Sequence, residues 1–285
     1  MGMFLAPKSI RFTNYKALRD FSVSLKQINI LTGPNNGGKS TIIGALRILS
    51  EGLRQARSKT TSMYTFYNEQ SVMGWIIPKE NISVSLENIH TDYEDNETFI
   101  TFSFGDDKHI YIRFDNNGTC VMTLNSFDGY LCTPKAFNRD FPIRVKVLPV
   151  LGPIEKEEKI LTKAFIKSGF DTNLASRHFR NFWFHFPEQF ERFAELIRTT
   201  WPGMEIGLPE RSGYSDNITM FVSEKNIDRE IFWSGFGFQI WCQILTHIAS
   251  SDDADIVVID EPEIYLHPEI QRQLLSILRD RKSVV

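Results

Sequence analysis

Gly33-Pro34-Asn35-Asn36-Gly37-Gly38-Lys39-Ser40-Thr41 decides the reading of this chain. The stretch has the form G-x-x-x-x-G-K-[ST], with Gly33, Gly38, Lys39 and Ser40 in the fixed places. Before it, Ile28, Ile30 and Leu31 read as a buried strand. After it, Ile42, Ile43, Leu46, Ile48 and Leu49 recur at helical spacing, and the helix is expected to reach about Leu53. Strand, glycine-rich loop and helix in that order are the context of a phosphate-binding loop. Glycines without Cβ let backbone N–H groups curl around a polyanion. The N-terminus of the following helix adds partial positive charge. Lys39 is expected to reach the β- and γ-phosphates of a nucleoside triphosphate, and Ser40 Oγ to hold Mg²⁺. A chance glycine-rich turn is the plainer alternative, and the flanking strand and helix argue against it.

The chain has 285 residues, 23 of them Phe, and a formal net charge of −3, so composition supports a sizeable core and gives no global basic signal for nucleic acid. Three cysteines, Cys120, Cys132 and Cys242, show no paired metal spacing. With no leader-like run, a reducing cytoplasm is the expectation. No apolar run approaches a membrane span. His178 and His185 fall in an aromatic helical region and read as packing or surface residues.

Outward from the loop, 9–12 and 21–25 read as strands. Residues 54–62 are basic and polar and suggest an exposed turn. Gln70 has the chemistry to sense Mg²⁺ and a γ-phosphate, although a surface amide is the simpler reading. Residues 82–89, 98–104, 109–114 and 119–124 look like successive antiparallel strands, with turn signals at Asp106-Asp107 and Asn116-Asn117-Gly118. This β-rich segment, about 80–150, sits as a flank or insertion and ends with a strand at 143–148. A helical insertion at 155–203 follows, with helices at 155–167, 172–186 and 188–200. Its aromatics, mixed with Arg177 and Arg180, read as core before they read as a stacking platform for single strands. Strands return at 204–208, 218–222 and 229–233, around a polar loop at 209–217.

Two further stretches carry chemistry. Ile256-Val257-Val258-Ile259-Asp260-Glu261 is an apolar run closed by two acids. The run fits a central parallel strand buried on both faces, with Asp260 at its carboxyl end, where open α/β sheets bind ligands. Asp260 is expected to hold Mg²⁺ directly or through water, and Glu261 to act as general base toward an attacking water. Upstream, Ser234-Gly235-Phe236-Gly237-Phe238-Gln239 opens an apolar helix, a second anion site by its N-terminus. One γ-phosphate seldom needs two such sites. The economical explanation is that Ser234, Gly235 and Gly237 serve a nucleotide held by another copy.

Together 33–41, 234–239, Asp260-Glu261 and Pro262-Glu263-Ile264-Tyr265-Leu266-His267-Pro268 resemble the ABC-type ATPases of the SMC, RecF and OLD group, including bacterial AAA or OLD-like ATP-binding proteins, many of them in phage defence. The resemblance covers essentially the whole chain. It implies an α/β P-loop NTPase fold of ABC-ATPase type and one ATP-binding domain over 1–285, with the β flank and helical insertion inside it. It also implies a head-to-tail homodimer with ATP and Mg²⁺ at its interface and 263–267 linking the two sites. DNA or a nuclease module would be the partner, and no part would enter a membrane. Residues 149–152 and 175–181 also look like family segments. The family continues beyond this chain's last helix with a core strand and a γ-phosphate-sensing histidine, so the chain is expected to be truncated. Residues 280–285 can be back-translated to a string resembling a sequencing adapter, so they are expected not to be native. The ATP-driving subunit of a membrane transporter shares these motifs, but the long, partly β-rich stretch between Lys39 and Ser234 argues against it. A nucleotide-binding module without catalysis is the third reading.

Overall fold

The computed structural model describes residues 6–34, 37–79, 89–91, 97–105, 107–126, 128–172, 174–213, 215–251, 254–262, 265–279 and 285. The chain forms two compact units, one of Met1–Val147, Ala254–Val258 and Arg281–Val285, the other of Leu148–Asp253 and Ile259–Asp280.

In the first unit the chain makes β1 (Ser9–Tyr15), β2 (Leu18–Ser24), helix α1 (Lys39–Ser58), β3 (Ser62–Thr65), β4 (Ser71–Ile77), β5 (Thr98–Gly105), β6 (Lys108–Phe114), β7 (Cys120–Leu124), α2 (Pro134–Asp140) and β8 (Val145–Val147). Among the described residues, the first seven strands form one antiparallel sheet in the order β2-β1-β5-β6-β7-β4-β3. Along β5 every second residue is buried, so Thr98, Ile100, Phe102 and Phe104 face the core. All five residues of β7 are buried, because Val121 packs with Phe66 and Val72 while Cys120, Met122 and Leu124 join the main core. Helix α1 lays Leu46, Leu49, Leu53 and Ala56 into that core. Gly52 allows the close approach, since a Cβ there would come within 2.7 Å of Met122 Sδ.

The strand Ile256–Val258 pairs in parallel with β8, Ile256 opposite Val145 and Val258 opposite Val147. All three of its residues are at most 1% exposed, the burial on both faces that the apolar run predicts. Val285 donates its N–H to the Val257 carbonyl at 2.9 Å. Cys120, Cys132 and Cys242 are free and buried, and burial pushes the Cys120 thiol up to about 12.

Gly129 has φ +66°, and a Cβ there would lie 1.7 Å from the Met73 carbonyl oxygen. Gly129→Ala is expected to destabilise the first unit by about 2–4 kcal/mol. Chemical denaturation checks this; an unchanged midpoint would mean that the turn relaxes freely.

The second unit contains β9 (Glu158–Lys159), α3 (Lys163–Gly169), a 3₁₀ turn at Ser176–His178, α4 (Phe179–His185), α5 (Phe190–Thr200), β10 (Met204–Ile206), β11 (Glu210–Arg211), β12 (Asn217–Thr219), β13 (Phe221–Glu224), β14 (Ile227–Glu230), α6 (Phe236–Ala249) and α7 (Pro268–Arg279). Its small antiparallel sheets run β10-β13-β14 and β11-β12-β9. Phe179, Trp183, Phe190 and Phe193 are buried together, with Trp183 stacked on Phe193 at 4.7 Å. The aromatic stripe is core. The indole N–H groups of Trp183 and Trp241 bond Thr246 and Thr200 at 3.0 and 2.8 Å, so both buried indole donors are satisfied.

Several expected elements differ. Among the described residues, 28–31 form no strand, only a single β-bridge position at Ile28, and Ile30 is 66% exposed. Asn29 accepts from the Lys26 N–H at 2.7 Å and donates to the Lys26 carbonyl at 2.8 Å, a local ring that competes with ladder bonding. Helix α1 continues to Ser58 because Gln55 and Ala56 are also buried, so 54–62 is mostly helix and not a turn. The helix expected at 155–167 begins only at Lys163, capped by Thr162; Glu158 before it pairs as a strand with Ile218. Among the described residues of 155–203, the regular elements are helices apart from β9. Of the polar loop 209–217, Glu210 and Arg211 pair with β12. Residues 231–233 turn from strand into a 3₁₀ helix under a Glu230 cap. The strand expected at 82–89 lies outside the described residues apart from Ile89.

Candidate nucleotide site

The glycine-rich stretch 33–41 belongs to the first unit. Gly33 has φ +151° and Gly38 φ +83°, conformations in which a side chain would be strained. Gly37 closes a turn onto the Pro34 carbonyl at 3.1 Å, and a Cβ there would meet that same oxygen at 2.9 Å. Gly38 stands at the N-cap of α1 with no side-chain cap, and the first turn holds no acid. The helix therefore begins without a side-chain cap on its N–H groups and without an acid in its first turn to repel an anion. Thr41 and Ile42 direct their N–H groups to the Gly38 carbonyl, both at 3.1 Å. Lys39 Nζ folds back to donate to the carbonyls of Gly33 at 2.6 Å and Pro34 at 2.9 Å. A phosphate oxygen would compete with these two neutral acceptors for the ammonium and, being charged, would bind it more strongly. Ser40 is exposed and Thr41 half-buried. Asn35 and Asn36 lie outside the described residues. Gln70, in the same unit, accepts from Arg113 Nη2 at 2.6 Å.

Asp260, Glu261 and Ser234, Gly235 and Gly237 belong to the second unit. Asp260 is half-buried and Glu261 exposed. Both line a cleft with Ile240, Ile244, Tyr265 and residues 148–151, which places part of the 149–152 segment beside the acid pair. Glu261 has φ +48° and Tyr265 φ +65°. Left-handed backbone at non-glycine residues costs about 1 kcal/mol or more and gathers at functional sites. Glu263 and Ile264 of the linking stretch lie outside the described residues. His267, exposed, accepts the Glu269 N–H at 3.4 Å.

Helix α6 starts as uncapped as α1, with Gly235 at its N-cap and no acid in the first turn. A Cβ on Gly237 would meet the Tyr265 carbonyl oxygen at 2.8 Å, so this glycine serves a backbone approach as well as any ligand. Phe236 packs edge-on against Tyr265 at 4.4 Å. Gln239 is 4% exposed. Its Nε2 donates to the carbonyls of Phe232 at 2.8 Å and Ser234 at 3.0 Å, while its Oε1 accepts from the Ile154 N–H at 3.2 Å. Residues 149–152 and 175–181 also meet here, since Ser176 Oγ accepts from the Gly152 N–H at 2.9 Å. Sequence reasoning placed Arg180 in the core stripe but missed its partners behind this turn, the buried Glu158 and the half-buried Glu230. The available signal was a charged residue inside the aromatic stripe, at Phe179-Arg180-Asn181-Phe182-Trp183.

Solved structures supply the comparison. The chain is similar to the SMC head domain from Thermotoga maritima, at 14% identity and TM-score 0.54, over 99% of this chain and 88% of that one. It is also similar to the Smc head domain bound to the C-terminal domain of ScpA from Pyrococcus furiosus, at 12% identity and TM-score 0.56, over 99% and 89%. A structure of the recombination mediator protein RecF with ATP matches at 11% identity and TM-score 0.50, over 99% and 93%. No curated protein matches. The fold is that of an ABC-type P-loop ATPase of the SMC, RecF and OLD-like group. More particularly, the chain belongs to the family described as "AAA domain, putative AbiEii toxin, Type IV TA system", whose profile covers residues 28–283.

Proposed function

We propose that this chain binds and hydrolyses ATP, and that two copies close on two nucleotides to switch a DNA-processing or defence complex in the cytoplasm. The carrying observation is the phosphate loop, with positive φ at Gly33 and Gly38, an uncapped α1 and the Lys39 ammonium held inside the loop. Residues 33–41 hold the triphosphate, and Lys39 takes the β- and γ-phosphates. Among the described residues no cluster of three or more His, Cys, Asp or Glu could hold a metal by itself. A Mg²⁺ ion that arrives with a nucleotide draws most of its oxygens from phosphates and water and needs only one or two from protein. Ser40 and Asp260 would each offer it one oxygen, and it would supply neutralisation of phosphate charge. Glu261 takes the proton from the attacking water.

Ser234, Gly235 and Gly237 reach the nucleotide held by the other copy, and the partner of the pair is DNA or a nuclease module. No described helix is long and apolar enough to cross a membrane. The two units act as parts of one ATP-binding domain. The trans contact is tested by Ser234→Arg, which places bulk and positive charge at the turn. Each chain is expected to bind ATP as before, with ATP-driven dimers lost in light scattering; dimers at the unaltered protein's level would remove Ser234 from the interface.

A further inference from the structure

The turn at 232–235 is exposed at its tip, with Trp233 67% exposed, yet it is held from behind by buried polar groups. On one side stands Gln239. On the other stands an ionic network within the second unit. Arg180 Nε donates to Glu230 Oε1 at 2.7 Å, and Nη1 donates to Glu158 Oε2 at 3.3 Å and to the Glu155 carbonyl at 2.9 Å. The side chains of Arg180, Glu158 and Glu230 are 1%, 2% and 16% exposed. Glu158 also accepts from the backbone N–H of Arg180 at 3.0 Å, and from the N–H and side-chain amide of Asn181 at 2.6 and 2.8 Å. Glu230 in turn accepts from the N–H groups of Phe232 at 2.8 Å and Met220 at 3.3 Å. It thereby caps the 3₁₀ helix Ile231–Trp233, whose last bond brings the Ser234 N–H to the Ile231 carbonyl at 3.0 Å.

This is a costly way to fill space. Taking an arginine and a carboxylate fully out of water, and a second carboxylate largely so, carries a desolvation penalty, and a well-packed apolar trio of similar volume is often as stable or more so. The network is also incomplete, because Arg180 Nη2 is buried without a hydrogen-bond partner among the described residues. What it supplies instead is geometry. Arg180 fixes the Glu230 carboxylate, that carboxylate fixes the first turn of Ile231–Trp233, and that turn fixes Ser234.

We infer that Arg180 and Glu230 are positioning residues that set Ser234 and Gly235 in register for the nucleotide of a second copy. This rests on the trans-site reading above. The test compares Glu230→Gln, Glu230→Ala and Arg180→Lys with Phe193→Leu, a core substitution in the same unit that serves as a control for lowered melting temperature. ATP affinity of the single chain is read by calorimetry, and ATP-driven dimerisation by light scattering across a concentration series. In Glu230→Gln and Arg180→Lys, affinity for ATP is expected to stay unchanged while dimerisation weakens roughly ten- to hundredfold, the scale of a misplaced contact. Glu230→Ala is expected to lose more than Glu230→Gln, which keeps one acceptor for the Phe232 N–H. Dimerisation of Glu230→Gln and Arg180→Lys equal to that of the melting-matched Phe193→Leu would overturn the inference, as would loss of ATP affinity in the single chain. If Ser234→Arg itself dimerises normally, the trans-site reading fails first. If Ser234→Arg fails to dimerise while Glu230→Gln dimerises fully, the positioning role alone is lost.

Discussion

Lys39→Ala is expected to weaken ATP binding by about two to three orders of magnitude and to leave no measurable hydrolysis. A preorganised donor aimed at developing charge is worth about 3–4 kcal/mol. Lys39 is the cation of the loop, and its Nζ already sits against the Gly33 and Pro34 carbonyls. The same bonds define the control. They are two hydrogen bonds at the surface to neutral acceptors, so their loss is expected to lower stability by no more than about 1–2 kcal/mol. A melting curve close to that of the unaltered protein, with calorimetric ATP binding lost, is the predicted pair of results. Binding within twofold of the unaltered protein would show that the loop does not hold the phosphates.

Glu261→Gln is expected to keep ATP binding, slow turnover by about a hundred- to ten-thousandfold, and accumulate ATP-bound dimers. General-base catalysis contributes on that scale, and glutamine matches the shape of glutamate without its proton affinity. The backbone sharpens the test. With φ +48° at Glu261, Glu261→Gly relieves conformational strain of about 1 kcal/mol or more while also removing the carboxylate. The two substitutions should therefore agree in lost turnover and differ in stability, Gly melting above Gln unless glycine's extra freedom in the unfolded chain offsets the relief. Single-turnover hydrolysis separates the cases: turnover of Glu261→Gln at the unaltered rate would take Glu261 out of the base role.

What could be read along the chain follows from how local its physical cause is. The phosphate loop, the start of α1 and the hairpin of β5 and β6 depend on neighbours a few positions away, through glycine conformation, helical spacing and strand alternation. Helix α2 was legible in principle, since Thr133 caps it and Pro134 opens it, but its seven residues are too few to show a period. Glu158 illustrates the opposite case. Its surroundings, with Lys156, Glu157 and Lys159, read as a solvated helix face. Its burial arises because β12 and Asn181, both distant along the chain, deliver a strand partner and hydrogen-bond donors to it. Residues 28–31 mislead for a related reason. Their apolar pattern fits a strand, but the Asn29 side chain bonds the Lys26 backbone and competes with ladder bonding beside it. At the candidate site, residue types and spacing alone single out Gly33, Gly38, Lys39, Asp260 and Glu261 as candidates. The support behind Ser234 was not visible, because Arg180 and Glu230 meet only in three dimensions.

Every residue of α6 from Phe238 to Ala249 is buried, so the helix has no side that faces water. Surface helices drift under selection by trading polar residues freely; this one has no position where that trade is neutral. A family that keeps this fold can vary α6 only by exchanging shapes of equal volume, one neighbour compensating another. The latitude denied to its length is concentrated at its tip, where Gly235 meets solvent. New surface chemistry can therefore be written there in a few residues, over a shaft that holds still.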